Sequence, residues 1–215
     1  YLLRVFMSID SNIDFSDLRI QVRERIEENK TARGVYFPDL GLIQVKPGLV
    51  NTVAHEVGHY LMHKWSRELS GDANWETSTR LAVQHENVFY NSEQTPVASE
   101  PRVEWFNQFR EFITTITEHA DTRKTQQQIQ LHKNKKKSSL LENQKIEAFA
   151  RFVDWFTEKT QVDAATGSTL GGTIGERTKA RTRFRDNFTE ADFVSFVNLI
   201  QSKQGLDRTD HNPFG

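Results

Sequence analysis

The chain has 215 residues, with 28 Lys+Arg against 29 Asp+Glu, which suits one domain, or one domain with an appended helical lobe, around a sizeable core. The net charge of −1 argues against a general nucleic-acid coat, and no run approaches the roughly 18–20 apolar residues of a membrane span. Cysteine is absent, which excludes disulfides, thiolate metal sites and cysteine nucleophiles.

Residues 1–9 (YLLRVFMSI) read as a short strand. Ser16 is placed to cap a helix reaching about Asn29, with Leu18, Val22 and Ile26 on one face. In GVYFPDLGLIQV, residues 34–45, two β-prone runs flank Pro38-Asp39-Leu40-Gly41, which has the turn chemistry of a hairpin. Asn51 is expected to cap a helix from Thr52 to about Lys64, and residues 74–90 form a weaker helical candidate. Ser99 to about His119 carries a wide apolar stripe of Val103, Phe106, Phe109, Phe112, Ile113 and Ile116. Residues 121–137, rich in Gln and Lys, have almost nothing to bury and read as a surface segment. Ser139-Leu-Leu-Glu142 is a capping box opening a helix to about Thr160, with Ile146, Phe149, Ala150, Val153 and Phe156 inward. Residues 166–175 read as a linker, and a last helix runs from Thr189 to about Ser202. The order, a small N-terminal β element followed by helices, predicts an α+β fold with a main domain over 1–160, then a linker and a C-terminal helix packed on or appended to it over 161–215. The opening Tyr1 and the closing Asn-Pro-Phe-Gly lead us to expect a processed product or a piece of a longer polypeptide.

The chemistry concentrates in residues 55–59, His-Glu-Val-Gly-His. Positions four apart on a helix share a face, so His55 and His59 can clasp one metal ion. Glu56 lies beside them, placed to accept a proton from a water. Gly58 costs a helix interior about 1 kcal/mol relative to Ala, so a close backbone approach or room for a ligand is expected there. Two histidines do not hold zinc firmly, and a third protein ligand is required, with the fourth position open. Position 65, six residues beyond His59, where a third histidine would lie, is Trp65, and His63 would be carried along the helix away from the metal, as a packing residue. Three carboxylates compete. Glu147 sits mid-helix with Ala150 one turn on, small enough to let that helix lie close to Gly58, although Glu147, Arg151, Asp154 and Glu158 also recur as a solvated face would. Glu100, with Glu104 one turn later, is the second candidate, and Glu76 the third.

HEVGHYLMH, preceded by GVYFPDLGLIQVKPG, resembles two groups of gluzincin-type metallopeptidases: the ImmA/IrrE-like family, and the zincin-like domains of large polyvalent proteins of phages and conjugative elements. The second likeness rests on Ala32-Arg33-Gly34 and on Glu147-Ala-Phe-Ala-Arg151, so that the resemblance covers about residues 32–64 and 140–160. It implies a zincin-like fold, a Zn2+ cofactor held by His55, His59 and Glu147, and Glu56 as the general base of peptide-bond hydrolysis, more as an endopeptidase than an exopeptidase. The ImmA/IrrE pattern would instead draw its third ligand from the Glu100 region, where Val103 and Glu104 depart from the expected Ala and Asn. The resemblance further implies a protein or peptide substrate and the host cytoplasm, or a virion, as location.

An oxyanion donor is also expected, and Tyr60, His85, Tyr90, His119 and Arg151 are open candidates. Trp75, Trp105 and Trp155 are expected to pack between helices, and Trp65 to cap the motif helix. The rival reading is nucleic-acid contact through the basic runs 123–137 and 177–185, which lack interleaved aromatics for base stacking. A zincin fold retained without turnover is the third reading.

Overall fold

A computed structural model describes residue 6 and residues 13–26, 32–70, 100–120, 137–166 and 186–210. Its first elements are three short strands, β1 (Arg19–Val22), β2 (Gly34–Phe37) and β3 (Leu42–Val45), in the order β1-β3-β2. The expected hairpin forms: β2 and β3 pair antiparallel, from Gly34 opposite Val45 to Phe37 opposite Leu42. Pro38–Leu40 makes a single 3-10 turn between them, and Gly41 closes it with φ 55°, a left-handed conformation that glycine adopts without a Cβ penalty. A Cβ at Gly41 would also fall 2.3 Å from the Asp17 carbonyl oxygen, so the turn is pressed onto the loop before β1.

The helix expected from Ser16 is not there. Residues 19–22 pair with β3 in parallel instead, from Arg19 opposite Leu42 to Val22 opposite Val45. Val22, placed on the buried face of that helix, is 64% exposed, and Ser16 bonds Asp14 through its N–H and hydroxyl rather than capping a turn of helix. Arg-Ile-Gln-Val alternates with a period of two, and pairing with β3 outweighs its weaker helical spacing. Of the strand expected at 1–9, only Phe6 is described; it is helical and fully buried.

Four helices follow among the described residues: α1 (Val50–Ser70), α2 (Glu100–His119), α3 (Lys137–Thr166) and α4 (Glu190–Asp210). None is long and apolar enough to cross a membrane. Asn51 lies inside α1 rather than at its cap, and α3 begins before the expected box at Ser139. α3 is the central element. Ala148, Phe149, Ala150, Phe152, Val153 and Phe156 are each fully buried, and Arg151 and Asp154 are nearly so, which rules out the solvated-face reading. A helix covered on all sides carries no single apolar stripe. The C-terminal helix joins the same core: the Phe196 ring lies 5.0–5.9 Å from those of Phe112, Phe149, Phe152 and Phe156. Trp65 does not cap α1. It is buried against Trp105, Phe109 and Phe149, and the helix runs on to Ser70. Trp105 and Trp155 pack between helices as expected, the Trp105 indole N–H donating to the Leu199 carbonyl.

At the start of α4, Asp192 N–H donates to the Thr189 hydroxyl at 3.2 Å, while the Asp192 carboxylate accepts from Thr189 N–H at 2.7 Å. This reciprocal cap satisfies two donors that a helix start leaves open. The same carboxylate lies 2.8 Å from His119 Nδ1, tying the end of α2 to the start of α4.

Candidate metal centre

The centre is set by the crossing of α1 and α3. A Cβ at Gly58 would stand 2.6 Å from Ala150 Cα and 3.2 Å from both the Ala150 carbonyl oxygen and Val153 Cβ. Only a glycine there lets the two backbones touch, which is the close approach that its place in a helix interior called for. Glu147, one turn before Ala150, is thereby brought over the face that carries His55 and His59. Its two carboxylate oxygens lie 3.4 Å from His55 Nε2 and 3.7 Å from His59 Nε2. One donor atom from each of the three residues falls within 4.8 Å of the others, a spacing that could hold a metal ion. The side chains of His55, His59 and Glu147 are 21%, 18% and 31% exposed, so the group opens toward solvent on one side.

Electrostatics fit a cation there. Burial alone would raise the Glu147 carboxyl, but the His55 hydrogen bond and the charges of His55, His59 and Arg151 outweigh it and hold the group at about 2. Burial and the neighbouring His55 push His59 down to about 4, leaving a neutral imidazole with a free lone pair at physiological pH. His55 is raised: burial opposes its charge, but Glu147 more than compensates. His59 Nδ1 is buried with no hydrogen-bond partner among the described residues, so nothing described competes for the orientation of that ring.

Glu56 faces the sheet. Its side chain lies against Gly34, where a Cβ would come within 3.1 Å of Glu56 Oε1 and 2.5 Å of Thr52 Cγ2. The backbone N–H of Tyr36 donates to its carboxylate, yet burial dominates and raises it to about 7. A carboxyl poised near neutrality can both take and return a proton.

The other expected residues fall elsewhere. His63 is a packing residue, buried, with Nδ1 3.0 Å from the Tyr36 hydroxyl. Tyr60 donates to Asp17, and His119 is engaged by Asp192, so neither offers an oxyanion donor. The Arg151 charge acts on Glu147, but its guanidinium is paired with Asp186 at 3.3 Å. Asp186 was not anticipated from sequence, lying outside every expected element. Glu104 is exposed; the Glu100 side chain lies outside the described residues, as do Glu76, His85 and Tyr90. The basic runs 123–137 and 177–185 also lie outside them, apart from the backbone of Lys137 at the start of α3.

Comparisons with protein families, with curated proteins and with solved structures found no match to this chain.

Proposed function

We propose that the chain is a zinc-dependent metallopeptidase that cleaves internal peptide bonds of a protein or peptide substrate in a host cytoplasm or virion. The observation that carries this reading is the three-donor group of His55, His59 and Glu147 with the buried Glu56 one residue along the same helix. Two imidazoles and one carboxylate suit zinc, whose catalytic sites keep a fourth position open. When bound, zinc would supply a Lewis acid that polarises the scissile carbonyl. The chain's own groups do the rest. His55, His59 and Glu147 would hold the metal. Glu56, held by the Tyr36 N–H, takes the proton of the attacking water at its carboxylate and returns it to the leaving amine. The wall formed by Gly34 and Thr52 keeps that carboxylate away from bulk water.

The test is zinc stoichiometry by elemental analysis on wild type, Glu147→Ala and Glu56→Gln, with casein cleavage measured alongside. The expected outcome is one zinc per chain in wild type and in Glu56→Gln, zinc lost in Glu147→Ala, and cleavage by wild type alone. Zinc retained in Glu147→Ala would move the third ligand to Glu100. Zinc in wild type with no cleavage would leave a metal-binding fold without turnover, and no zinc after excess metal would remove the reading altogether.

A further inference from the structure

A second concave site lies on the other half of α1. A cavity of about 250 Å3 opens between the Pro38–Gly41 turn and the α1 residues Tyr60, His63, Lys64 and Arg67. None of His55, Glu56, His59 and Glu147 lines this cavity. Its walls are fixed. Gly41 is pressed onto the Asp17 carbonyl, the Tyr60 hydroxyl donates to the Asp17 carboxylate, and Lys64 Nζ donates to the Asp14 carbonyl at 2.6 Å. The Tyr36 hydroxyl and His63 Nδ1, hydrogen-bonded at 3.0 Å, form part of the lining.

Two lining charges stand out because they are not used by the fold. Asp39, on the turn, and Arg67, on the helix, are both exposed, and neither has a hydrogen-bond or ion-pair partner among the described residues. Burial and then Asp17 raise the Tyr36 phenol, while Arg67 opposes and Asp39 adds to that rise, so both charges lie close enough to act on this lining residue. The other charged pair, Asp17 and Lys64, is satisfied internally at 3.4 Å. What is left is one anion and one cation around a volume that suits a small polar molecule. A ligand with a single charge would gain from one wall and be repelled by the other.

We propose that this cavity binds a small zwitterion bearing both an ammonium and a carboxylate, the ammonium on Asp39 and the carboxylate on Arg67. A free amino acid and the terminus of a short peptide share much of this chemistry, and the capped probes below separate them. The site does not rest on the peptidase reading, and its test is run in the presence of chelator.

The experiment is a titration followed by heteronuclear NMR, using L-alanine, N-acetyl-L-alanine and L-alaninamide in turn. The expected result is saturable movement of the Tyr36, His63 and Gly41 amide signals with L-alanine, at millimolar affinity. Each capped probe should bind roughly tenfold more weakly, since each lacks one charge-assisted bond. Asp39→Asn and Arg67→Gln, both at exposed positions, should each weaken L-alanine by a similar factor without altering the remaining spectrum. N-acetyl-L-alanine matching L-alanine would make this a carboxylate site, as for a peptide C-terminus, and L-alaninamide matching it would make it an ammonium site; either overturns the zwitterion. No saturable shift with any probe, or binding unchanged in both variants, overturns the site itself.

Discussion

A methyl group at Gly58 would stand 2.6 Å from Ala150 Cα, against backbone rather than a yielding side chain. Alanine gains up to about 1 kcal/mol of helix propensity there, but overpacking a tight core costs about 1–3 kcal/mol. We therefore expect Gly58→Ala to lose stability in urea and, because α3 must move away, to bind zinc more weakly. Unchanged zinc affinity in that variant would show that the crossing does not set the donor positions. Gly34 makes a contrasting case. Its absent Cβ leaves room for Thr52 and Glu56, not for His55, His59 or Glu147. Gly34→Ala should displace the base and lower cleavage while leaving one zinc per chain, and loss of zinc in that variant would contradict this division.

Elements differ in how clearly their sequences announce them. The α2 stripe predicts its own burial: Phe106, Phe109, Phe112, Ile113 and Ile116 all lie in the core. The hairpin was legible because Pro38 and Gly41 have turn chemistry, and the α1–α3 contact because a helix-interior Gly58 needs a small partner such as Ala150. β1 was not legible. Four residues satisfy a period of two and a loose period of 3.6 alike, and the parallel partner that decides between them is twenty-three positions away in sequence. The ends of α1 were missed for a similar reason, since burial of Trp65 and Ser66 under α2, α3 and α4 extends a helix whose local sequence weakens. Nor does sequence announce the Arg151–Asp186 pair, with side chains 10% and 2% exposed, which joins α3 to the segment entering α4. Removing one partner of a buried pair strands the other charge, at about 3–5 kcal/mol. Asp186→Ala should thus cost on that order by chemical denaturation yet retain zinc, because the donors sit on α1 and α3.

At the scale of the whole molecule, the proposed metal would compete with protons for one group of side chains drawn from two helices. A ligand that binds only the folded chain adds about 2.7 kcal/mol when present at a hundred times its dissociation constant. At neutral pH Glu147, held at about 2, and His59, held at about 4, have already lost their protons. Burial opposes the charge of His55 but Glu147 outweighs it, so His55 keeps its proton to higher pH than an ordinary histidine, and that proton must leave before its nitrogen can bind metal. The sign follows for each form. Without metal, the raised His55 contributes stability that is fully present below the ordinary histidine range, and that is lost as pH rises through its folded value. With zinc, rising pH removes the competing proton and strengthens binding. The two effects act in the same direction, so the melting-temperature gap between zinc-loaded and chelator-treated protein should widen as pH rises from about 5.5 to about 8, a range bracketing the ordinary histidine value. Thermal scans with zinc and with chelator across that range measure the gap, and one that stays flat or narrows would mean that His55 is not a ligand.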